Sequence, residues 1–366
     1  MAKPESQWKQ MLRRRVLTWF HANARDLPWR RSCDPYHVWI SEVMLQQTQV
    51  ITVVPYFERF IAEFPTIATL ASAHEDQVLR LWEGLGYYRR ARQLHQAAQV
   101  IAAEHQGVFP SDPASVRALP GIGRYTAGAI LSIAFAAREP ILEANTIRVF
   151  SRLIAYRDDT TSTQGQRVLW GAAQDFLPRK NVGDFNQAMM ELGSEICTPR
   201  EPRCQACPVE TLCPTRAQGL QAVIPAPKKK TNYEAAFEAC VVVWRNGSVL
   251  LRRCEEGERW AGLWDFPRFA ISEKQGANLQ RQLSDGVRRL TGYDVTMGEH
   301  VKTIKHGVTR FRITLSCHQA GHLSGRRAKG DFAWVRPEQL GTYALSVTGR
   351  QVAEVVDGLS SRLTEH

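Results

Sequence analysis

The chain has 366 residues, of which 44% are hydrophobic, and its formal net charge is +11. This length allows two or three domains with ordinary apolar cores, and the basic excess favours a polyanionic partner, nucleic acid before a membrane surface. The most apolar stretch, 127–137, is far shorter than the roughly 20 residues that cross a bilayer, and the charged start lacks the apolar core of a secretory signal. These features exclude a membrane protein and predict a cytoplasmic one, with its eight cysteines present as thiols or metal ligands.

In chain order, residues 7–217 are predicted to form helices, because apolar residues recur at steps of three and four and are interrupted by Pro and Gly. Residues 218–232 contain two Pro and three consecutive Lys, which indicates a linker. Residues 233–366 have a different pattern. Asn246-Gly247 joins two β-rich runs, as in a hairpin, further strands are predicted at 310–318 and 331–335, and a closing helix is predicted at 347–363. An all-α region is therefore followed by a smaller α+β domain.

Two glutamates lie within or at the end of apolar segments of the helical region. Glu42 lies in WISEVML, where desolvation by apolar neighbours raises the pKa of a carboxyl group and keeps a proton on it. Glu143 closes the apolar run PILE before a predicted helix. It can be a solvated residue at a helix start or a buried carboxylate with a chemical role.

The segment LPGIGRYTAGAIL places Gly121 and Gly123 between two predicted helices. Glycines separated by one residue allow a tight turn, and the next helix begins with free N–H groups that can bind a phosphate. A plain tight turn is the alternative.

Four cysteines have the spacing C-x6-C-x2-C-x5-C, at Cys197, Cys204, Cys207 and Cys213. Four thiolates within 17 residues can surround one metal centre. A [4Fe–4S] cluster is favoured over zinc, because only one C-x2-C pair is present. The other cysteines lack partner spacing and are predicted to be buried thiols: Cys33, Cys240, Cys254 and Cys317.

Four blocks of the helical region together resemble the endonuclease III-like helix-hairpin-helix DNA glycosylase superfamily, and within it the adenine DNA glycosylases. These blocks are LPWRRSCDPYHVWISEVMLQQTQV, GLGYYRRARQLHQAA, LPGIGRYTAGAILSIAF and FNQAMMELGSEICTP. The resemblance implies base excision from duplex DNA after the adenine is flipped out. It also implies DNA contacts by Gly121 and Gly123 and a [4Fe–4S] cluster on the four cysteines.

The resemblance also implies roles for single residues. Glu42 aligns with the general acid, and Glu143, followed by Asn145, aligns with the second catalytic carboxylate, which is Asp in the superfamily. Tyr125 stands where bifunctional relatives have the Lys that forms a Schiff base, so a monofunctional enzyme is expected. Further positions match the adenine pocket (Arg25, Trp29, Arg30, Leu45 and Glu191) and the residues that intercalate at the flipped-base gap and beside the lesion (Gln47 and Tyr88). Glu191 can alternatively be an ion-pair partner of an Arg.

Residues 233–366 resemble, more loosely, a Nudix-like domain, most clearly at SVLLRRCEEGERWAGLWDFPRF. The stretch LSDGVRRLTG has no Glu to hold the divalent metal of a Nudix hydrolase, so a DNA- or lesion-binding role is expected. The lesion-reading Phe-Ser-His turn of relatives aligns with TIKHGV. Of Ile304, Lys305 and His306, only His306 matches that turn.

The sequence therefore predicts a monomeric, monofunctional DNA glycosylase that acts, on the nucleoid, on adenine opposite 8-oxoguanine or guanine in double-stranded DNA. Two alternatives remain open. One is a glycosylase of the same fold for another mispaired or modified base. The other is a mispair-binding protein in which Glu143 supports only weak catalysis.

Overall fold

The computed structural model describes residues 7–227, 232–272 and 276–363. By their contacts the residues divide into two units, Met1–Ser72 with Gln93–Lys229, and Ala73–Arg92 with Lys230–His366. The second unit thus includes a segment of the predicted helical region, and the predicted boundaries at 217 and 233 stay a prediction. The lysine run 228–230 lies outside the described residues.

The helices of the N-terminal part follow one another with short turns, as the periodicity predicts. In chain order they are α1 Gln7–Asn23, α2 Pro35–Leu45, α3 Val50–Glu63, α4 Ile67–Ser72, α5 Glu75–Leu81, α6 Arg89–Glu104, α7 Pro113–Ala118, α8 Arg124–Ala134, α9 Ala144–Leu153, α10 Thr163–Phe176, α11 Val182–Glu195 and α12 Pro214–Ala217. No β-strand occurs among the described residues of the first unit.

Large apolar side chains from α1, α9, α10 and α11 form a core of the first unit. Phe20, Phe150, Phe176 and Phe185 belong to this core and are buried. Helix α8 packs against α2 and α11, and α11 also packs against α9. The side chains that face one another across α2, α8, α9 and α11 therefore come from distant parts of the sequence.

The second unit contains a mixed sheet, with strands in the order β3-β2-β1-β6-β5; β4 also pairs with β1, and β7 with β2. Their bounds are β1 Glu234–Arg245, β2 Ser248–Arg253, β3 Trp264–Asp265, β4 Arg268–Ala270, β5 Tyr293–Val308, β6 Phe311–Gly325 and β7 Phe332–Val335. Asn246 and Gly247 have φ of 49° and 72° and connect β1 to β2, so the predicted hairpin is confirmed.

Helices α13 Gly276–Thr291 and α14 Val347–Leu363 pack on the sheet. Leu283 of α13 lies in a core with Val241, and Val352 of α14 lies in a second core with Val242. Neighbouring strand residues point to opposite faces, so each helix covers one face of the sheet. The predicted α+β architecture and the closing helix are confirmed.

Two predictions about the chain are corrected by the fold. TIKHGV is not a turn, because Ile304, Lys305 and His306 lie within β5 and pair with β6; the chain turns later, at Thr309. Cys33 is exposed, although it was predicted to be buried, whereas the other three unpaired cysteines predicted to be buried are buried. None of the helices in the described part of the chain has the length and hydropathy needed to cross a bilayer.

Candidate active site

A cavity of about 140 Å³ lies in the first unit, among α2, α8, α9 and α11. Nine of the residues predicted from the sequence line it. They are Arg25, Trp29, Arg30, Glu42, Leu45, Tyr125, Glu143, Asn145 and Glu191. The structure therefore brings together side chains that are up to 166 positions apart in the sequence.

Glu42 is a carboxyl group in an apolar helix. Its neighbours on α2, Ile40, Val43 and Met44, are buried, and Glu42 itself is 5% exposed. Burial raises its pKa to about 7, although a hydrogen bond from Tyr125 opposes that rise. A carboxyl group with this pKa holds a proton in a large fraction of molecules near neutral pH.

Tyr125 is the second residue of α8, and its side chain reaches Glu42 on α2. The hydroxyl donates a 2.5 Å hydrogen bond to Glu42 Oε2 and lies 3.3 Å from Met190 Sδ. Burial raises the pKa of Tyr125 well above its usual value, and the carboxylates of Glu42 and Glu143 raise it further. Tyr125 therefore stays protonated and acts on Glu42 as a hydrogen-bond donor.

Glu143 is the N-cap of α9 and also lines the cavity. Its two oxygens accept 2.8 Å hydrogen bonds from the backbone N–H groups of Asn145 and Thr146. Burial raises its pKa, while these hydrogen bonds lower it in part. The sequence offered two interpretations of Glu143, a residue at a helix start and a carboxylate with a chemical role. They are compatible, because one carboxylate both caps the helix and faces the cavity.

Glu191 of α11 is 1% exposed and is held by two arginines. Arg25 Nε donates to one of its oxygens at 2.7 Å, and Arg30 Nη2 donates to the other at 2.9 Å. Burial acts to raise the pKa of Glu191, but the hydrogen bonds from both arginines hold it below its usual value. Glu191 therefore forms the ion pair that was the alternative interpretation, and this ion pair lies at the wall of the cavity.

Trp29 and Asn145 are fixed by contacts behind the cavity wall. Trp29 lies in a short 3₁₀ helix, Pro28–Arg30, and packs edge-on against Phe57 with ring centroids 5.4 Å apart. Asn145 Oδ1 accepts a 2.9 Å hydrogen bond from Arg148. Both side chains thus have defined positions before any ligand enters.

Gln47 is not among the residues that line the cavity. It is exposed on the loop after α2, and its φ of 62° is in the left-handed region, which is unusual for a residue with a side chain. Backbone strain of this kind is retained where the surrounding structure imposes it, often at functional sites.

The glycine turn lies between α7 and α8, as predicted. Gly121 has a φ of 74°, and a Cβ atom there would lie 2.7 Å from Gln93 Cβ. A Cβ on Gly123 would meet nothing within 4 Å. Gly121 is therefore required by the fold, whereas the open space at Gly123 leaves its backbone accessible to a ligand.

In the second unit, Tyr88 is 7% exposed, and its hydroxyl donates a hydrogen bond to the carbonyl of Leu345 at 3.3 Å. This burial contradicts the predicted contact of Tyr88 with DNA. The exposed aromatic residue of the pair is Tyr87, which is 56% exposed. The other predicted lesion contacts lie on β5, where Lys305 is exposed and His306 Nε2 is 3.2 Å from Arg268 Nη2.

The four cysteines of the spaced motif line one small cavity after α11: Cys197, Cys204, Cys207 and Cys213. Arg152 Nη1 lies 3.3 Å from Cys197 Sγ, so a cation faces the thiol group. No group of three or more His, Cys, Asp or Glu among the described residues is arranged to hold a single metal ion.

Nine further residues line the active-site cavity and were missed in the sequence, and three of them lie on α11: Gln187, Met190 and Ser194. Ser194 Oγ accepts a 2.9 Å hydrogen bond from Arg25. The missed signal is helical spacing, because Gln187 and Ser194 lie one turn before and one turn after Glu191 on the same face of α11.

Comparison with known proteins places this site in a family. Residues 40–174 match the family model of HhH-GPD superfamily base excision DNA repair proteins, and residues 239–354 match that of the NUDIX domain. The adenine DNA glycosylase of Buchnera aphidicola subsp. Acyrthosiphon pisum is 37% identical over 71% of this chain and 74% of its own length. The human adenine DNA glycosylase is 33% identical over 94% of this chain and 73% of its own.

Among solved structures, a thermostable thymine-DNA glycosylase has a TM-score of 0.53 and 26% identity. The match covers 58% of this chain and 98% of that one. The coverage and identity of the curated relatives show that the chain belongs to the adenine DNA glycosylase family.

Proposed function

We propose that this protein hydrolyses the N-glycosidic bond of adenine mispaired with 8-oxoguanine or guanine in duplex DNA. The observation that carries this proposal is the presence of two carboxyl groups with raised pKa values in one cavity, the buried Glu42 and the half-buried Glu143. A base can reach such a cavity only when it is flipped out of the duplex.

Glu42 is the general acid in this proposal. Adenine leaves poorly unless a ring nitrogen is protonated, and Glu42, with a pKa of about 7, carries a transferable proton near neutral pH. Tyr125 holds the Glu42 carboxyl in one orientation through its 2.5 Å hydrogen bond.

Glu143 stabilises the positive charge that develops on the sugar as the base departs. Its carboxylate is kept in place by the backbone N–H groups at the start of α9, so little reorganisation is needed during the reaction. Tyr125 cannot form a Schiff base, and the enzyme is therefore monofunctional.

The polar wall formed by Arg25, Arg30 and Glu191 offers donors and an acceptor to a purine edge, and Trp29 offers an aromatic surface. Outside the cavity, the turn at Gly123 supports phosphate binding without sequence readout. Lys305 and His306 of β5 are proposed to contact the strand opposite the adenine.

The four cysteines are proposed to hold a [4Fe–4S] cluster, since all four line one cavity and an arginine faces one of them. When bound, such a cluster crosslinks the loop after α11. Iron and acid-labile sulfide in the natively purified protein, with visible absorption, are expected. A colourless protein that contains zinc would contradict the proposal.

A single-turnover assay tests the function. Duplexes with A opposite 8-oxoguanine, A opposite G and T opposite G are incubated with the wild type and with Glu42→Gln. We expect adenine release from the first two duplexes by the wild type alone, without strand cleavage. Release of thymine instead would favour another target base. Tight mispair binding without release of any base would favour a mispair-binding protein.

A further inference from the structure

The turn that joins α5 to α6 in the second unit holds an aromatic side chain in a strained conformation. Gly84 and Gly86 have φ of 102° and 71°, and Tyr87 follows with φ of 50°. Glycine accepts such angles, but a tyrosine there costs about 1–2 kcal/mol. The turn therefore presents the Tyr87 ring to solvent at an energetic cost that its surroundings must offset.

Arg90, the second residue of α6, connects this ring to the core of the unit. Its guanidinium carbon lies 5.4 Å from the centroid of the Tyr87 ring and 5.5 Å from that of Trp82, which is fully buried. These distances are within the range of cation–π attraction.

The same turn is also held through its backbone. The carbonyl of Gly86 accepts hydrogen bonds from Trp82 Nε1 at 3.1 Å and from Arg90 Nη2 at 3.4 Å. Burial lowers the pKa of Arg90 to about 10. This side chain is consequently packed into the unit and is not extended into solvent like an ordinary phosphate-binding arginine.

A strained, exposed aromatic ring with a dedicated support indicates a recognition element. Aromatic rings stack on nucleic-acid bases of any sequence, and the neighbouring Arg89 and Arg92 make this end of α6 basic. We propose that Arg90 is a positioning residue, which holds the Tyr87 ring in a preorganised orientation for stacking on a base of the mispaired duplex. This inference rests on the proposed function in that its ligand is mispaired DNA.

The test is a double-mutant cycle on binding. Tyr87→Ala, Arg90→Ala and the double variant are made in a Glu42→Gln background, so that adenine is not excised, and Kd is measured for a duplex with A opposite 8-oxoguanine. Each single variant is expected to weaken binding by about tenfold, because one stacked base is lost. The double variant is expected to bind like either single variant, since Arg90 acts through Tyr87.

A direct phosphate contact by Arg90 would give a different result. The two effects would then multiply, and the slope of log K against log salt concentration would fall by about 0.9 for Arg90→Ala. Either result overturns the proposal. The matched control is Arg89→Ala, which removes the adjacent exposed arginine and is expected to leave the coupling between positions 87 and 90 unchanged.

Arg90→Lys separates charge from shape and protects the test against misfolding. Lysine keeps the positive charge and can pack its methylenes on Trp82, but it lacks the planar guanidinium. We expect Arg90→Lys to melt like the wild type and to bind about as weakly as Arg90→Ala; full rescue by Lys would refute the positioning role. Because binding is measured without excision, these results stand apart from any failure of the proposed catalysis.

Discussion

The hydroxyl of Tyr125 donates a 2.5 Å hydrogen bond to Oε2 of Glu42, and both groups are buried in the cavity of the first unit. Two effects on Glu42 oppose each other there. Desolvation raises the pKa of the carboxyl group, and the hydrogen bond lowers it by stabilising the ionised form. The balance lies at about 7, where the group can give up a proton at physiological pH.

Tyr125→Phe removes this hydrogen bond and leaves the burial of Glu42 in place. The pKa of Glu42 is therefore expected to rise. A general acid works in its protonated form, so the pH above which single-turnover excision declines is expected to move upward. A pH–rate profile of the two proteins checks this. An unchanged or lower alkaline limit would show that Tyr125 does not set the pKa of the acid.

Glu42→Gln is expected to abolish excision and to stabilise the fold at high pH. The pKa of Glu42 in the fold, about 7, is above its ordinary value of 4.5. The neutral carboxyl group therefore makes its full contribution to the free energy of unfolding below pH 4.5, and this contribution is lost as pH rises through 7. Glutamine stays neutral, and the gain in the free energy of unfolding at pH 8 approaches about 3 kcal/mol.

Denaturant unfolding at pH 5 and pH 8 measures this gain, which should be small at pH 5. Glu191→Gln is the matched control, because the pKa of Glu191 is lowered by its two arginines and its charged form is the stabilised one. This variant should lose stability at pH 8. A Glu42→Gln protein that is less stable than wild type at pH 8 would contradict the assigned protonation.

Glu143 is tested by two substitutions that differ in length and charge. Glu143→Gln keeps one acceptor oxygen for the cap of α9 but loses the second acceptor and the negative charge. Excision should therefore fall by about 100-fold, while the weakened cap lowers the free energy of unfolding by only about 1 kcal/mol. Glu143→Asp keeps the charge and the cap but withdraws the carboxylate by one methylene, and a displacement near 1 Å costs about 100-fold. A faster Asp variant would mean that the native Glu143 is misplaced for catalysis.

The two glycines of the turn between α7 and α8 should respond differently to alanine. Gly123→Ala meets open space, so the fold should be unaffected and affinity for duplex DNA should fall by about tenfold, because the backbone can no longer approach a phosphate. Gly121→Ala should destabilise the protein by about 1–2 kcal/mol, because φ is 74° and Cβ would clash with Gln93. Melting curves and binding isotherms for both variants check these two predictions. An equal loss of stability in Gly121→Ala and Gly123→Ala would contradict the predicted difference between the two glycines.

The sequence by itself determined the architecture and half of the residues that line the cavity. Periodicity placed the helices, and the Asn246-Gly247 pair placed the hairpin, since both signals arise from backbone geometry that the local sequence dictates. The resemblance to the glycosylase superfamily implied nine residues that line one cavity.

Tertiary structure alone decided which of two neighbouring residues is exposed and which segment forms a strand. Tyr87 and Tyr88 are adjacent and chemically identical, and only the backbone angle at Tyr87 and the packing around Tyr88 select which ring is exposed. Ile304 to His306 lie in a strand and not a turn because β6 pairs with them. At Glu143, the local sequence allowed a helix cap. The packing of α9 against α11 then placed the same carboxylate at the cavity, so that it both caps α9 and lines the cavity.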